Sequence, residues 1–168
     1  MKIRPATAAD MDAVAAIYGH SVTTHYASFE VEPPDAADMS ERFQALVDEN
    51  FPYLVAEEDG AVLGYAYASR FRPRPAYGYT VEGTVYIHPD HYGKGIGKTL
   101  VTDLISACAA RHFQQMMAVI ACKPDDDLAT NASVRLHLSL GFQQVGRFKE
   151  VGHKQGLWLD TVILQRAL

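Results

Sequence analysis

Apolar side chains along this chain follow two spacings, and each change of spacing predicts a change between helix and strand. Four stretches have apolar residues at helical intervals, at positions 11–18, 39–49, 100–108 and 131–140. Seven others alternate or run continuously apolar, as strands do, at positions 2–4, 53–57, 62–69, 81–88, 116–121, 142–151 and 158–164. The order of these elements predicts a mixed α/β fold.

Local signals mark several ends of these elements. Thr7, with Asp10 three residues later, is typical of a cap before the first helix. Asp59 and Gly60 are typical of a hairpin turn between the second and third strands. A polar, proline-bearing stretch at 30–38 separates the first two helices, and an acidic loop at 123–129 precedes the last helix.

Composition narrows the class of protein. The length of 168 residues and the hydrophobic share of 48% predict one domain, residues 1–168, with a buried core. The net charge of -5 argues against a nucleic-acid partner. Cys108 and Cys122 form no C-x-x-C pair, and no stretch reaches the ~18 apolar residues of a membrane span. We therefore expect a cytoplasmic protein that acts on small molecules and has no membrane partner.

A glycine-rich segment separates the strand at 81–88 from the helix at 100–108. It consists of Gly93, Lys94, Gly95, Ile96, Gly97 and Lys98. At such a junction, unpaired backbone N–H groups and the positive end of the helix dipole meet at one point. Glycines let a ligand approach the main chain closely, and the two lysines add positive charge. A tight turn without a ligand is the alternative, but the pattern favours an anion-binding loop.

Two better-known phosphate loops fit this segment poorly. A Walker A loop needs four residues between its glycines before G-K-S/T, and here Tyr92 stands in place of the first glycine. A dinucleotide-binding loop needs a third glycine where Lys98 stands. Nucleotide hydrolysis and hydride transfer are therefore disfavoured.

The segment resembles the acyl-CoA loop of GNAT acetyltransferases, Q/R-x-x-G-x-G/A, although Tyr92 stands where Gln or Arg is usual. The resemblance covers nearly the whole chain and is closest to the branch of phosphinothricin and methionine sulfoximine acetyltransferases. It is carried by residues 3–6, 55–58, 80–82, 88–91, 140–142 and 158–160. It implies a GNAT fold, an α+β arrangement with a mixed central sheet of about six to seven strands flanked by about four helices.

The resemblance also implies acetyl-CoA as co-substrate and assigns residues to it. Backbone groups of Val85, Tyr86 and Ile87 would pair with the pantetheine arm like an added strand, and residues 93–98 would bind the diphosphate. An N–H near Ile87 would stabilise the oxyanion. Asn131 and Ser133 would contact the CoA arm, although counting back from His137 puts Thr130 at the position of the usual asparagine. A homodimer is implied, through the C-terminal strands or the second helix.

Acetyl transfer to an amine needs a group that takes the proton of the amine and a group that assists the departing thiolate. Glu82 is the candidate base, at the position where the branch that it resembles carries a functional glutamate. An exposed strand carboxylate is the alternative interpretation. His137 is the candidate for thiolate protonation or proton relay, although a histidine between leucines is often a packed helix residue.

The acceptor is predicted from the segment that precedes the Glu82 strand. Arg72, Arg74 and Tyr77 provide two guanidinium groups and a ring that suit a carboxylate or phosphinate. Exposed loop arginines are as often merely solvated. We therefore expect a small amino-acid-like amine as substrate, and no metal, because Pro89 interrupts the spacing of His88 and His91.

Two other functions stay open at this stage. One is N-acetylation of a peptide or protein, which would need an open acceptor groove. The other is a CoA-binding module that has lost catalysis, suggested by Tyr92 and by Gly78 and Gly83, which replace larger residues of the family.

Overall fold

The computed structural model describes all residues from Met1 to Leu168. It contains four α-helices: α1 (Met11–Thr24), α2 (Ala36–Asp48), α3 (Ile96–Ala109) and α4 (Ala132–Ser139). It contains seven strands: β1 (Lys2–Pro5), β2 (Tyr53–Glu58), β3 (Ala61–Arg70), β4 (Thr80–Ile87), β5 (Gln115–Cys122), β6 (Gln143–Lys154) and β7 (Leu157–Ala167). Each stretch with strand or helix spacing in the sequence corresponds to one of these elements.

All seven strands form one mixed sheet in the order β1-β2-β3-β4-β5-β7-β6. Neighbouring strands are antiparallel except β4 and β5, which are parallel. A parallel pair needs a crossover connection, and α3 provides it between β4 and β5. The expected α+β arrangement with seven strands and four helices is therefore confirmed.

Each face of the sheet is covered by a separate apolar core. On one face, Leu100 and Leu104 of α3 pack with Val81 of β4. On the other face, Val14 of α1 packs with Tyr65 of β3. Because side chains alternate along a strand, the central strands β2, β3 and β4 contribute to both cores.

The first helix begins at a polar cluster. The backbone N–H of Thr7 donates to the Asp10 carboxylate at 2.7 Å, which confirms the predicted pair, although a 3₁₀ turn (Ala8–Asp10) precedes α1. Arg4 donates two hydrogen bonds to the same carboxylate and holds the pKa of Asp10 at about 2. The cluster fixes the end of β1 to the start of α1.

The second helix starts earlier than its apolar pattern indicates. The Asp35 side chain accepts the backbone N–H of Asp38 at 2.9 Å, so α2 begins at Ala36, inside the stretch that we expected to be a connection. None of the helices is long and apolar enough to cross a membrane.

Candidate active site

The strands β4 and β5 pair only at their beginnings. The paired positions are Thr80 with Gln115, Val81 with Met116, and Glu82 with Met117. Beyond them the two strands diverge, although β4 continues to Ile87 and β5 to Cys122. At the point of divergence a Cβ on Gly83 would lie 3.0 Å from the Met116 sulfur, so glycine leaves room for that buried side chain. The divergence opens a cleft of about 660 Å³.

The cleft passes through the sheet, because residues from both faces line it. Val85 belongs to the α3 core and Tyr86 to the core under α1 and α2, so alternation puts Glu82 on the same face as Tyr86. On that face the cleft is bounded by residues 25–29, which connect α1 to α2. On the opposite face it is bounded by α4. Two ligands that approach from opposite faces can therefore meet between the strands.

Backbone groups of β4 face the gap without a strand to pair with. The N–H of His88 donates to the Leu63 carbonyl at 2.8 Å, which fixes the antiparallel ladder between β3 and β4. By the alternation of that ladder, Tyr86 directs its backbone at β3, whereas Val85 and Ile87 direct theirs at the gap. This edge offers hydrogen bonds to an extended ligand.

The glycine loop follows the end of β4 and leads into α3. None of the N–H groups of residues 93–98 has a hydrogen-bond partner within the protein. Gly93 and Gly95 have φ values of 74° and 81°, a conformation that favours glycine. A Cβ on Gly97 would lie 3.4 Å from Leu136 of α4, so the loop adjoins the α4 side of the cleft. The unpaired N–H groups at a helix start form a site for an anion.

Glu82 lines the cleft at the point where the strands separate. Its carboxylate forms no hydrogen bond or ion pair with the protein, and burial raises its pKa above the ordinary 4.5. A carboxylate with a raised pKa and a free lone pair is suited to accept a proton from a ligand.

His137 lies across the cleft from Glu82, on α4, and is only 4% exposed. Its Nδ1 is 2.8 Å from the Ser133 carbonyl, which can only accept, so Nδ1 carries the proton. Its ring packs edge-on against Phe142. Burial lowers its pKa below the ordinary 6.5, so the neutral ring offers Nε2 as an acceptor. In this form His137 can receive a proton but has none to give at Nε2.

The charges along the cleft are negative. Asp126 and Asp127, from the loop between β5 and α4, line it together with Glu82, whereas no lysine or arginine does. Asp126 accepts from the Lys123 N–H at 2.8 Å and from the Tyr26 hydroxyl at 3.3 Å, which connects the two loops at the cleft. Such a cleft attracts a cationic amine rather than an anion.

A protein-family model described as an acetyltransferase (GNAT) domain matches residues 3–163. The chain belongs to the GNAT family of acetyltransferases. The match spans all the strands that bound the cleft, the glycine loop and α4. The expected enzyme class, an acyltransferase, is thereby confirmed.

Individual GNAT relatives narrow the branch. Phosphinothricin N-acetyltransferase of Alcaligenes faecalis is 47% identical over 159 residues, 95% of this chain and 78% of that protein. The L-methionine sulfoximine/L-methionine sulfone acetyltransferase of Salmonella typhimurium is 37% identical over 168 residues, 100% of this chain and 95% of that protein. A crystal structure of a GNAT superfamily phosphinothricin acetyltransferase from Sinorhizobium meliloti, in complex with acetyl-CoA, matches with a TM-score of 0.92 and 44% identity, covering 99% of this chain and 88% of that one. The predicted branch is confirmed.

Most residues that the sequence predicted for the GNAT site lie together. Asn131 and Ser133 line the cleft, and the Asn131 side chain caps α4 by accepting the Ser133 and Val134 N–H groups at 3.0 and 3.1 Å. Thr130 lines the cleft beside them. Residues that line the cleft or form the adjoining loop are Glu82, Val85, Tyr86, residues 93–98, Asn131, Ser133 and His137.

The predicted acceptor residues lie elsewhere. Neither Arg72, Arg74 nor Tyr77 lines the cleft; Arg72 instead stacks on the rings of Phe71 and Tyr77, 5.2 and 5.9 Å from their centroids. Tyr77 lines a separate depression of about 230 Å³. The segment at 72–77 leads into the end of β4 that pairs with β5, whereas the cleft opens at the other end, beyond Glu82. Closeness to Glu82 in the sequence therefore does not put these side chains in the cleft.

Two parts of the cleft were not predicted from the sequence: the wall formed by residues 25–29, and the contribution of Asp126 and Asp127. The wall has no regular structure and no motif, so its place depends on contacts with distant parts of the chain. The sequence shows the stretch at 123–129 only as an acidic loop before the last helix, and its charge is the one signal that points to the cleft.

We expect His137 to stay neutral, with its proton on Nδ1, because burial disfavours the charged ring and Ser133 fixes the tautomer. Nitrogen-detected NMR on ¹⁵N-histidine-labelled protein should show the Nδ1–H tautomer and a titration midpoint below 6.5. The variant His137→Gln assigns the resonance. A midpoint at or above 6.5, or a proton on Nε2, would contradict this description.

Proposed function

We propose that residues 1–168 act as one GNAT domain that transfers the acetyl group of acetyl-CoA to the primary amine of a small amino-acid-like acceptor. Acceptors of the phosphinothricin, methionine sulfoximine or methionine sulfone type are those named for the relatives. The amine attacks directly while both substrates are bound. The single observation that carries the proposal is a cleft through the sheet with Glu82 on one face and the anion-binding loop adjoining the other.

The residues present fit acetyl-CoA. The free N–H groups of residues 93–98 suit the diphosphate. The edge formed by Val85 and Ile87 suits the amide groups of the pantetheine arm. Tyr86, whose backbone faces β3, contributes a side chain only. Acetyl-CoA supplies the activated acyl carbon, and these backbone groups hold and orient it.

Within the cleft, Glu82 accepts the proton that the amine loses, directly or through water. Its burial raises its pKa, which makes it a better base than a solvated glutamate. A β4 backbone N–H that is directed at the gap donates to the carbonyl oxygen as negative charge develops there. The Ile87 N–H, predicted for this role, lies five residues along β4 from Glu82 and suits the pantetheine arm instead, so the Val85 N–H is the donor nearer the acyl carbon. As the amide C–N bond forms and the thioester C–S bond breaks, His137, whose Nδ1 is engaged with Ser133, takes the second proton of the amine at Nε2 and passes it to the departing sulfur, so that CoA leaves as the thiol.

The position of the acceptor follows from the charges. Its ammonium is attracted into the cleft by Glu82, Asp126 and Asp127 before it loses a proton. Its carboxylate or phosphinate finds no cationic side chain along the cleft and lies outside it. Recognition of that anion by Arg72, Arg74 and Tyr77 stays a prediction that the lining of the cleft does not support.

A thiol-release screen with acetyl-CoA tests this function. The acceptors are methionine sulfone, methionine sulfoximine, phosphinothricin, ordinary amino acids, polyamines and short peptides. We expect release with at least one free amino-acid-like amine at a kcat/KM well above that for peptides. A preference for peptides would favour the peptide N-acetyltransferase alternative, and acetyl-CoA binding by calorimetry without release for any amine would favour a non-catalytic module.

We expect Glu82→Gln to lower kcat at least about 100-fold, because the amide cannot accept the proton. The KM for acetyl-CoA should change little, because the diphosphate loop adjoins the other face. In the wild type, kcat/KM should fall as pH drops through the raised pKa of Glu82, above 4.5. The exposed Glu41→Gln is the matched control. A Glu82→Gln enzyme within a few-fold of wild type would exclude Glu82 as the base.

We also propose a homodimer that forms through β6 and β7. β6 is an edge strand, and the pair exposes large apolar side chains of Val145, Phe148, Val151, Leu157 and Trp158. The other candidate surface, α2, exposes Val47.

In sedimentation velocity we expect the wild type to behave as a dimer and Phe148→Asp to shift it to monomer, because a buried unpaired carboxylate disfavours the interface. Val47→Asp is the control and should leave the dimer intact. A monomeric wild type, or dissociation by Val47→Asp alone, would contradict the proposed interface.

A further inference from the structure

Lys154, the last residue of β6, is buried and takes no part in the chemistry described above. It is 4% exposed, although lysine is rarely buried without a partner. Its ammonium donates to the His25 carbonyl at 2.9 Å and to the Ser28 carbonyl at 2.7 Å. No carboxylate forms a salt bridge with it, since the nearby Glu30 pairs with Arg42. The ammonium of Lys154 therefore binds backbone oxygens of a segment that lies more than a hundred residues earlier in the sequence.

These two carbonyls belong to the wall of the cleft. Residues 25–29 line the face on which Glu82 lies, and the segment is neither helix nor strand. Carbonyls in such a segment have no ladder to pair with, so another group must satisfy them when they are buried. An ammonium with three donors can bind two carbonyls at once and fix the distance between them.

Other contacts hold the same segment, but none binds two of its backbone groups. The Tyr18 hydroxyl hydrogen-bonds Ser28 Oγ at 2.7 Å. Phe29 packs on Gly152 of β6 so closely that a Cβ there would clash. Next to the segment, the Gln155 side chain donates to the carbonyl of Thr23 in α1 at 3.0 Å. The end of β6 and the turn after it thus hold the connection between α1 and α2 in place, and Lys154 is the charged group among these contacts.

We infer that Lys154 is a positioning residue that fixes the acceptor wall of the cleft by binding the His25 and Ser28 carbonyls. The inference rests on the proposed function in one respect, since it takes the face of Glu82 as the acceptor side. Lys154 forms no hydrogen bond or salt bridge with the CoA side, which α4 and the glycine loop form. Loss of Lys154 therefore affects the two substrates differently.

The test combines hydrogen exchange with kinetics on the full-length protein. In Lys154→Met, amide exchange within residues 25–30 should accelerate at least tenfold relative to wild type, whereas exchange in β1–β3 should be unchanged. The KM for the acceptor should rise about tenfold or more, because small displacements of a positioning surface have large kinetic effects. The KM for acetyl-CoA should stay within twofold. Lys149→Met, at an exposed position of the same strand, should match wild type in all four measurements.

Unchanged exchange in residues 25–30 would overturn the positioning role, as would equal rises in both KM values. Lys154→Gln, which keeps a hydrogen-bond donor without the charge, is measured in parallel and decides by the same criteria if Lys154→Met gives no cooperative thermal transition. A wild-type enzyme that releases no thiol with any amine would overturn the proposed function and the acceptor assignment with it. Exchange would then still decide whether Lys154 holds the segment.

Discussion

The separation of β4 from β5 is the constraint on which the site depends. Buried backbone groups are almost always paired, and a strand that loses its neighbour within a sheet must find another partner or solvent. Beyond Glu82, β4 has β3 on one side and a cleft on the other. After β4 the chain enters the glycine loop, where the six N–H groups of residues 93–98 have no partner at the start of α3. A ligand with amide groups along its length and a diphosphate at its end is complementary to both.

The divergence also divides the chemistry between the two faces of the sheet. Glu82 reaches the cleft from the face of α1 and α2, and His137 from the face of α4. Burial disfavours the charged form of both groups. It therefore raises the pKa of the Glu82 carboxyl, whose charged form is deprotonated, and lowers the pKa of His137, whose charged form is protonated. The result is a carboxylate that is a stronger base than usual and an imidazole that favours its neutral form, each with a lone pair free to accept a proton. Burial keeps His137 neutral, and its hydrogen bond to Ser133, a contact within α4 itself, fixes the proton on Nδ1 and leaves Nε2 as the acceptor.

The sequence predicted the parts of the fold that depend on local patterns. Each strand and helix contains an apolar pattern long enough to identify the element. The glycine loop is a contiguous motif, so it is recognisable without knowledge of the fold. The start of α2 was missed because Ala36 to Asp38 carry no apolar stripe, and the Asp35 cap decides it. The positions of Glu82 and His137 in one cleft followed from the family resemblance. The wall at 25–29 and the absence of Arg72 and Arg74 from the cleft were not predictable, because both depend on contacts between distant segments.

A crystal structure of this protein with acetyl-CoA tests the central claim most directly. We expect the diphosphate within hydrogen-bonding distance of the N–H groups of residues 93–98, and the pantetheine amides paired with backbone groups of Val85 and Ile87. The acyl carbon should then lie in the cleft between Glu82 and His137. A diphosphate bound elsewhere, or a gap between β4 and β5 closed by protein side chains with acetyl-CoA outside it, would contradict the account.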